Sequence, residues 1–401
     1  MTTLQLTNKH LFSRCLTAVL VSQFISALAD NALLFAAIAL LKSLAAPDWQ
    51  IPMLQEFFVV AFILLAPFVG PVADGFPKGR VMLVANMLKL LGGGAMLLGL
   101  NPLLAYGLVG IGAAAYSPAK YGILSELVSP DALVKANGLI EGSTIVAILL
   151  GALLGGKLAS VSVPIALFAV CSCYILAAST NAFIPHLAAA RPDTKLQPKK
   201  IIIEFFSALK ILSLNKDARF SLIGTSIFWG AGATLRLLLV AWTPVALGIT
   251  DISMPANLSG AVAIGIAIGA ALAANLVSLK NINRALPAGL LIGIFIMLFA
   301  HVMHIFIAIA LMILIGVAGG FYVVPLNALL QECGHESIGA GNAVAVQNFF
   351  ENFSMMTLVG FYILMEKNNV SVTTTAFIFG GIILLAIGLL TMKRIRQSKA
   401  N

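Results

Sequence analysis

The sequence predicts an all-α integral membrane protein with twelve transmembrane helices in two six-helix, pseudo-symmetric halves. Three observations predict this fold class: few charged residues, apolar stretches long enough to span a bilayer, and an internal repeat. Of the 401 residues, 60% are hydrophobic and 10% are charged, and the mean hydropathy is +1.02. Soluble proteins carry about 25% charged residues. The composition therefore excludes a soluble cytosolic enzyme, a disordered chain and a secreted disulfide scaffold.

The apolar stretches give the number of spans. A spanning helix needs about 20 mostly apolar residues. Barrel strands would alternate apolar and polar residues with period two, and these stretches do not. The twelve predicted spans run near 12–44, 52–74, 81–100, 103–125, 134–158, 161–184, 219–249, 255–278, 285–302, 305–331, 338–365 and 370–391.

The first span resembles a signal peptide at its start. Lys9 and Arg14 precede an apolar run that ends in Ala27-Leu28-Ala29, which imitates a cleavage site. The apolar run resumes after Asp30-Asn31 and continues to Leu41. We therefore expect one long, uncleaved first span.

The basic residues predict the orientation. If the N-terminus is cytoplasmic, most of the 24 Lys and Arg residues fall on the cytoplasmic side. Lys42, Lys157 and Lys367 alone fall at the outer side, and a further three basic residues lie within spans. This bias places both termini in the cytoplasm. Nucleic-acid binding is disfavoured because no separate basic domain exists.

One long connection divides the chain. It predicts an N-terminal six-helix bundle (1–184), a cytoplasmic linker (185–218) and a C-terminal six-helix bundle (219–401). Within the linker, 201–214 is compatible either with an amphipathic helix on the inner membrane surface or with an ordinary linker helix. The four cysteines fall in spans or on the reducing side, so we expect neither a disulfide nor a metal site.

The two halves repeat weakly. An offset of 205 residues places Arg14 on Arg219 and Asn137 on Asn342, and Glu126 has a counterpart in Glu332 with one gap. Parallel six-plus-six halves are the pattern of major-facilitator transporters, whose substrate site lies near the midplane.

The connection between the second and third spans carries a candidate gate. Gly70, Asp74, Lys78 and Arg80 resemble the cytoplasmic signature of the major-facilitator family, although Gly75 replaces the usual Arg beside the Asp. The Asp is expected to cap a neighbouring helix end and to pair with the basic residues, closing an inner gate. The alternative is a turn in a positive-inside loop.

Several charged residues lie inside spans, where a charge costs about 2.5–3.5 kcal/mol on insertion scales. They mark either structural ion pairs or a binding site. The structural pairs would be Asp30 with Arg236 and Lys120 with Glu141; in a binding site the cations would hold an anionic group and the acids a cationic one. The deeply placed residues are Asp30, Lys120, Arg236 and Glu351, while Glu141 and Lys89 lie less deep.

The helical rise of 1.5 Å per residue places Asp30 and Arg236 at nearly equivalent heights in the first and seventh spans, roughly 25 Å from their cytoplasmic anchors. Lys120 lies nearer the cytoplasm. No catalytic constellation surrounds the histidines, so we expect a protein that is not an enzyme and that needs no cofactor.

Long, uncommon strings carry a resemblance to a known family. They are DNALLF (30–35), AYSPAKYGIL (115–124), VKANGL (134–139), FWGAG (228–232), VVPLNALLQE (323–332) and GAGNA (339–343). On these strings the chain resembles the bacterial lysophospholipid transporters of the major facilitator superfamily, from about Leu11 to about Leu390.

The resemblance implies a function. The family moves lysophosphatidylethanolamine and lysophosphatidylglycerol from the outer to the inner leaflet of the bacterial inner membrane by facilitated flipping. A cytoplasmic acyltransferase/acyl-carrier-protein synthetase then re-acylates the product. We expect a monomer with lateral substrate entry and alternating access. The alternative is a drug:proton antiporter, and a membrane scaffold or receptor is a third class.

Two sets of candidate residues follow. The candidate substrate-binding residues are Asp30, Asn31, Tyr116, Lys120, Asn137, Glu141, Arg236 and Glu351. The candidate gating residues are Asp74, Lys78, Arg80, Glu126 and Glu332.

Overall fold

The computed structural model describes residues 14–46, 50–184, 187, 189, 197–249 and 253–399. Within these ranges the ordered elements are all helical. The helices are α1 (Arg14–Ser43), α2 (Gln50–Gly75), α3 (Lys78–Leu97), α4 (Pro102–Gly122), α5 (Leu124–Leu127), α6 (Pro130–Val161), α7 (Val163–Ala182), α8 (Pro198–Leu214), α9 (Lys216–Leu247), α10 (Ser253–Leu276), α11 (Leu286–Phe299), α12 (Ile305–Glu336), α13 (Ala340–Lys367) and α14 (Val372–Lys399).

Each predicted span coincides with one long helix, which confirms the all-α membrane fold class. Ten helices in the described part of the chain are long and apolar enough to cross a membrane, with a 3-10 helix at Leu279–Ala285 extending α11. The two predicted spans outside this set are α4 and α13. Counting these two helices gives twelve spans, which fits the fold. Both helices carry parts of the strings that resemble the lysophospholipid transporters.

The helix ends follow local chemistry. Asn101 caps α4 and Asn215 caps α9, each by accepting hydrogen bonds from two backbone N–H groups of the following turn. Gly248 follows the last residue of α9 with a φ of 67°, a conformation that glycine adopts without the steric cost of a Cβ. These signals are local, so they fix the ends of helices independently of packing.

The linker helix α8 is amphipathic, as one of the two interpretations of its sequence predicts. It buries Ile201, Phe205, Ala208 and Leu212 along one face. Lys199, Lys200 and Lys210 are exposed. A location on the membrane surface stays a prediction. The rest of the predicted linker lies partly outside the described residues, as do Lys9 and the start of the first predicted domain.

The chain forms two compact units. Unit 1 comprises Met1–Ala136, Val146–Leu212 and Gln331–Asn348. Within it, α3 packs against α4 and α7, α2 packs against α4, and α1 packs against α7. Leu33, Leu54 and Val109 are fully buried in its apolar core. The first turns of α13 thus belong to the same unit as α2.

Unit 2 comprises Asn137–Ile145, Ser213–Leu330 and Phe349–Asn401. Here α14 packs against α11 and α9, and α9 packs against α10. The rings of Trp242 and Phe299, both fully buried, lie 4.0 Å apart between centroids. The predicted division at 184 and 219 into two bundles and a linker stays a prediction.

Glycines bring α10 and α12 into backbone contact in unit 2. The four residues are spaced four apart on each helix: Gly265, Gly269, Gly316 and Gly320. A Cβ at Gly269 would lie 2.1 Å from the carbonyl oxygen of Val317, and one at Gly316 would lie 2.1 Å from that of Val262. Small residues at these positions let the two helices approach closely.

Replacing Gly316 by Ala is expected to lower the stability of the folded protein. The added methyl group would meet a backbone oxygen of α10, which cannot rotate away. Overpacking of this kind costs about 1–3 kcal/mol, and occasionally more. Thermal unfolding in detergent measures the effect. The control is Gly381→Ala in α14, where the added Cβ would have no heavy atom within 4 Å apart from the neighbouring backbone of its own helix. Equal melting temperatures for the two variants would contradict the prediction.

Candidate functional site

Asp30 lies in the middle of α1, within unit 1. Its side chain is 19% exposed and is held from two sides. The Lys89 ammonium of α3 donates to Asp30 Oδ2 at 2.6 Å, and the Tyr174 hydroxyl of α7 donates to Asp30 Oδ1 at 2.8 Å. Hydrogen bonds in which one partner is charged are shorter and stronger than neutral ones. The carboxylate is therefore fixed in orientation but still accessible.

A polar stripe on α1 continues from Asp30. Ser22, Ser26 and Asp30 are four residues apart, so they share one face of the helix. The Ser26 hydroxyl donates to Asn86 Oδ1 at 2.7 Å, and the Ser22 hydroxyl donates to Asn181 Oδ1 at 2.5 Å. These groups are buried, so a hydrogen-bonded polar layer lies inside an apolar bundle.

Tyr116 joins this layer from α4. Its hydroxyl lies 3.4 Å from Ser22 Oγ, and the Lys89 ammonium lies 4.8 Å from its ring centroid. Asn31, by contrast, donates its side-chain N–H to the carbonyl of Ala27 in the same helix, at 2.8 Å. The structure thus places Asp30 and Tyr116 in one cluster, hereafter the Asp30 cluster, with Lys89, Ser26 and Tyr174.

Lys89 binds the Asp30 carboxylate, a contact that the sequence does not predict. Arg236 belongs to unit 2, so its pairing with Asp30 stays a prediction. From the sequence, Lys89 lies less deep in the membrane than Asp30. That estimate uses only the distance of each residue from the end of its own span, so it does not show that the two side chains meet. Tyr174 gives no signal at all, since a tyrosine in an apolar span is ordinary. The spacing of Ser22, Ser26 and Asp30 is the signal that could have revealed the stripe.

Asp74, the acid of the predicted gate, caps the N-terminus of another helix. Asp74, at the end of α2, is fully buried. It accepts hydrogen bonds from the backbone N–H of Gly341 at 3.0 Å, from that of Asn342 at 2.9 Å and from the Asn342 side chain at 3.0 Å. These donors form the N-terminus of α13, where a carboxylate is favoured by the free N–H groups and the helix dipole. We call this arrangement the Asp74 cap.

Glycines make room for the cap. Gly339 has a φ of 96°, and a Cβ there would lie 2.1 Å from Asp74 Oδ2. A Cβ at Gly70 would lie 2.8 Å from the Cα of Asn342. Larger residues at either position would therefore separate α2 from α13.

Lys78 links the cap to Glu126. Its ammonium lies 3.2 Å from Asp74 Oδ1 and 2.5 Å from Glu126 Oε1, and its side chain is almost fully buried. Burial raises the pKa of Glu126 above its usual range, and the neighbouring Lys78 opposes that effect. The prediction that Asp74 caps a helix end and pairs with a basic residue is confirmed; its gating role stays a prediction.

The other two candidate gating residues are Arg80 and Glu332. Arg80 is exposed, and no hydrogen bond or ion pair joins its side chain to Asp74 or Glu126 among the described residues. It lies two residues past Lys78 in α3 and so points to another side of the helix. Glu332, near the end of α12, is partly buried.

The candidate residues of unit 2 differ in burial. Arg236 in α9 is exposed, and no hydrogen bond or ion pair joins it to another described residue. Glu351 in α13 and Asn137 in α6 are buried. Glu141 is buried and accepts a hydrogen bond from the Asn327 side chain of α12 at 3.2 Å.

Lys120 lies near the end of α4 in unit 1. Its ammonium lies 4.2 Å from the ring centroid of its neighbour Tyr121, a cation–π contact. Its predicted pairing with Glu141 stays a prediction. No group of three or more His, Cys, Asp or Glu side chains in the described ranges is placed to hold a metal ion.

Comparisons with known proteins agree with the helical architecture. The family model described as Major Facilitator Superfamily matches residues 19–359. The Escherichia coli fucose:proton symporter FucP superposes with a TM-score of 0.76 over 94% of this chain and 98% of that chain. At 10% sequence identity this likeness concerns the fold alone.

Two curated relatives are similar over nearly their whole length. A protein of Citrobacter koseri named Lysophospholipid transporter LplT is 54% identical over 391 residues, which is 98% of each chain. A protein of Escherichia fergusonii with the same name is 55% identical over 381 residues, covering 95% of this chain and 96% of that relative.

Proposed function

Because this chain belongs to the Major Facilitator Superfamily and, within it, to the lysophospholipid transporters, we propose that it moves lysophospholipid across a bacterial membrane. The cargo is lysophosphatidylethanolamine and lysophosphatidylglycerol, taken from the outer leaflet to the inner leaflet for re-acylation. The chain is a multi-pass membrane transporter and not an enzyme. The drug:proton antiporter alternative is not favoured, since the curated relatives carry the lysophospholipid name.

The observation that carries the proposal is the accessible carboxylate of Asp30 inside a membrane helix. A charge at that depth is costly and therefore marks function. Lys89 and Tyr174 each occupy one oxygen, and a carboxylate has about four lone-pair sites. Acceptor capacity remains for the ammonium of an ethanolamine headgroup. Asn31, next in the chain, supplies a polar neighbour.

The remaining candidates divide by charge. Arg236 binds the phosphate, which its planar guanidinium suits, and Lys120 offers a second cation. Glu351 is a second acid for the ammonium, and Tyr116, Asn137 and Glu141 are further polar groups for the headgroup. The acyl tail stays in lipid by entering sideways between helices, and alternating access moves the headgroup.

The Asp74 cap serves as a latch in this cycle. Asp74 binds the N-terminus of α13, and Lys78 binds Glu126. While both contacts hold, the joined helix ends close the transporter to the cytoplasm. Arg80 and Glu332 act at the same end. The latch opens when the cap is broken, because the contacts are few, polar and interdependent.

We place the protein in the inner membrane with both termini in the cytoplasm, on the basis of the positive-inside bias. It works as a monomer. Its product passes to a cytoplasmic acyltransferase/acyl-carrier-protein synthetase. The chain carries no cofactor in this scheme.

The decisive experiment compares two cargoes in vesicles reconstituted with the purified protein. Fluorescent lysophosphatidylethanolamine and lysophosphatidylglycerol are added outside, and the fraction that becomes protected from a membrane-impermeant quencher is followed with time. A soluble organic cation loaded inside measures efflux, with and without a proton gradient. Protein-dependent lysophospholipid flipping supports the proposal. Cation efflux that depends on the gradient, without flipping, would refute it.

Replacing Arg236 by Ala is expected to slow flipping of both lysophospholipids, because both carry the phosphate. A hydrogen bond to a charged group is worth about 1.5–3 kcal/mol, or about 10- to 100-fold in affinity. Arg236→Lys keeps the charge but loses the two-pronged geometry, so it should recover part of the rate. Near-normal flipping by correctly inserted Arg236→Ala protein would remove Arg236 from the phosphate role.

A further inference from the structure

We infer that Lys89 is a positioning residue that holds the Asp30 carboxylate in the orientation in which it binds the ammonium of an ethanolamine headgroup. The inference rests on the proposed function, because it concerns how the same site distinguishes two lysophospholipids. Neither the apolar span around Lys89 nor its depth in that span indicates such a role.

Lys89 is fixed by three contacts. Its ammonium donates to Asp30 Oδ2 at 2.6 Å and to Ser26 Oγ at 3.0 Å, and it lies 4.8 Å from the Tyr116 ring centroid. Ser26 is itself fixed by its bond to Asn86. The two anchors on α1 are four residues apart, so the ammonium is bound to one face of that helix. The position of the cation is therefore determined by α1, α3 and α4 together.

Burial separates the roles of the two charges. Lys89 is 1% exposed, whereas the Asp30 side chain is 19% exposed. A headgroup can reach the acid but not the base beneath it. Lys89 therefore acts on substrate through Asp30 and does not bind substrate itself.

The pair also explains how an acid persists at this depth. A carboxylate without a partner in an apolar interior is strongly disfavoured and becomes neutral or moves. Lys89 supplies the compensating charge from the buried side, and Tyr174 fixes the second oxygen at 2.8 Å. The two contacts hold the carboxylate in one orientation, with Oδ2 on Lys89 and Oδ1 on Tyr174.

Selectivity follows from the chemistry of the headgroups. Lysophosphatidylethanolamine has an ammonium group that needs the carboxylate, and lysophosphatidylglycerol has none. Loss of Lys89 would leave Asp30 either neutral or displaced. In both cases the ammonium loses its partner, while the phosphate contacts of both lipids remain.

The test is Lys89→Met, which keeps the length of the side chain and removes its charge. In reconstituted vesicles the KM for lysophosphatidylethanolamine should rise about 10- to 100-fold, the range for a lost charge-assisted contact. The kcat for lysophosphatidylethanolamine and the KM for lysophosphatidylglycerol should each change by less than about twofold. A factor of two corresponds to less free energy than one hydrogen bond contributes. Lys89→Arg should restore much of the selectivity, because it keeps a cation that can reach Asp30.

Two further variants keep the test decisive. Lys157→Met removes an exposed lysine of α6 and should match the unmodified protein. The double variant Lys89→Met with Asp30→Asn removes both charges, a change that folded proteins often tolerate. Its KM for lysophosphatidylethanolamine should equal the value for Asp30→Asn alone, because both changes act on one contact.

The outcomes are distinct. An equal rise in KM for both lipids would mean that Lys89 has a structural role, and it would overturn the inference. The same holds if the KM of the double variant exceeds that of Asp30→Asn by the full factor that Lys89→Met causes alone. If Lys89→Met does not fold, the double variant is compared with Asp30→Asn alone. An equal KM for lysophosphatidylethanolamine supports the inference, and a higher KM overturns it. If the unmodified protein flips neither lipid, the proposed function fails and the inference fails with it. Selective loss of the ethanolamine lipid supports both.

Discussion

Asp30→Asn protein is expected to lose most of its transport of lysophosphatidylethanolamine. The substitution keeps the size of the side chain and removes the charge that the ammonium needs. It also leaves the buried Lys89 without its counter-ion, and an uncompensated buried charge costs about 3–5 kcal/mol. We expect kcat/KM to fall by about 100-fold or more, since about 2.8 kcal/mol corresponds to that factor. Lysophosphatidylglycerol, which has no ammonium, should be affected less.

Two controls separate recognition from folding. Glu56→Gln neutralises an exposed acid of α2 and should transport both lipids at the normal rate. Asp30→Glu keeps the charge but moves it by one methylene group. Its flipping rate for lysophosphatidylethanolamine should therefore fall between those of Asp30→Asn and the unmodified protein. Initial flipping rates in vesicles, measured over a range of lipid concentrations and normalised to inserted protein, give the comparison. An Asp30→Asn protein with normal ethanolamine-lipid kinetics would show that the acid is structural.

Asp74→Asn protein is expected to be both less stable and slower in flipping. The buried carboxylate accepts three N–H groups at the start of α13 and lies 3.2 Å from the Lys78 ammonium. An amide keeps the shape but presents N–H groups where an acceptor is needed. Removing one member of a buried ion pair costs about 3–5 kcal/mol. A latch weakened by that amount shifts its open–closed equilibrium by more than about 100-fold.

Glu366→Gln is the matched control for the cap, since Glu366 is an exposed acid of α13, the helix whose N-terminus Asp74 caps. It should unfold and flip lipid like the unmodified protein. The two variants are compared by thermal unfolding in detergent and by flipping of both lipids. Because the cap acts on every cycle, Asp74→Asn should slow both lipids to the same extent. A loss restricted to one headgroup would place Asp74 in recognition and contradict the latch.

The cap shows how far a local motif leads. The run from Gly70 to Lys78 predicts an acid that caps a helix end and pairs with a basic residue, and both contacts exist. Which helix end is capped is not contained in that run. The N-terminus of α13 lies 267 residues further along the chain, and no local pattern specifies a partner at such a separation. Arg80 belongs to the predicted gate because a basic cluster in sequence does not show which side chains point inward.

The sequence by itself determined the helical membrane fold, the positions of the helices and which residues are too polar for their surroundings, because length, hydropathy and capping are local properties. Only the tertiary structure decided which of those residues meet. Asp30 and Lys89 are both visible as charges in apolar spans, but their contact depends on the rotation of α1 and α3 about their axes and on their relative height. Close packing of the whole bundle sets those quantities, and a single chain's periodicity does not contain them.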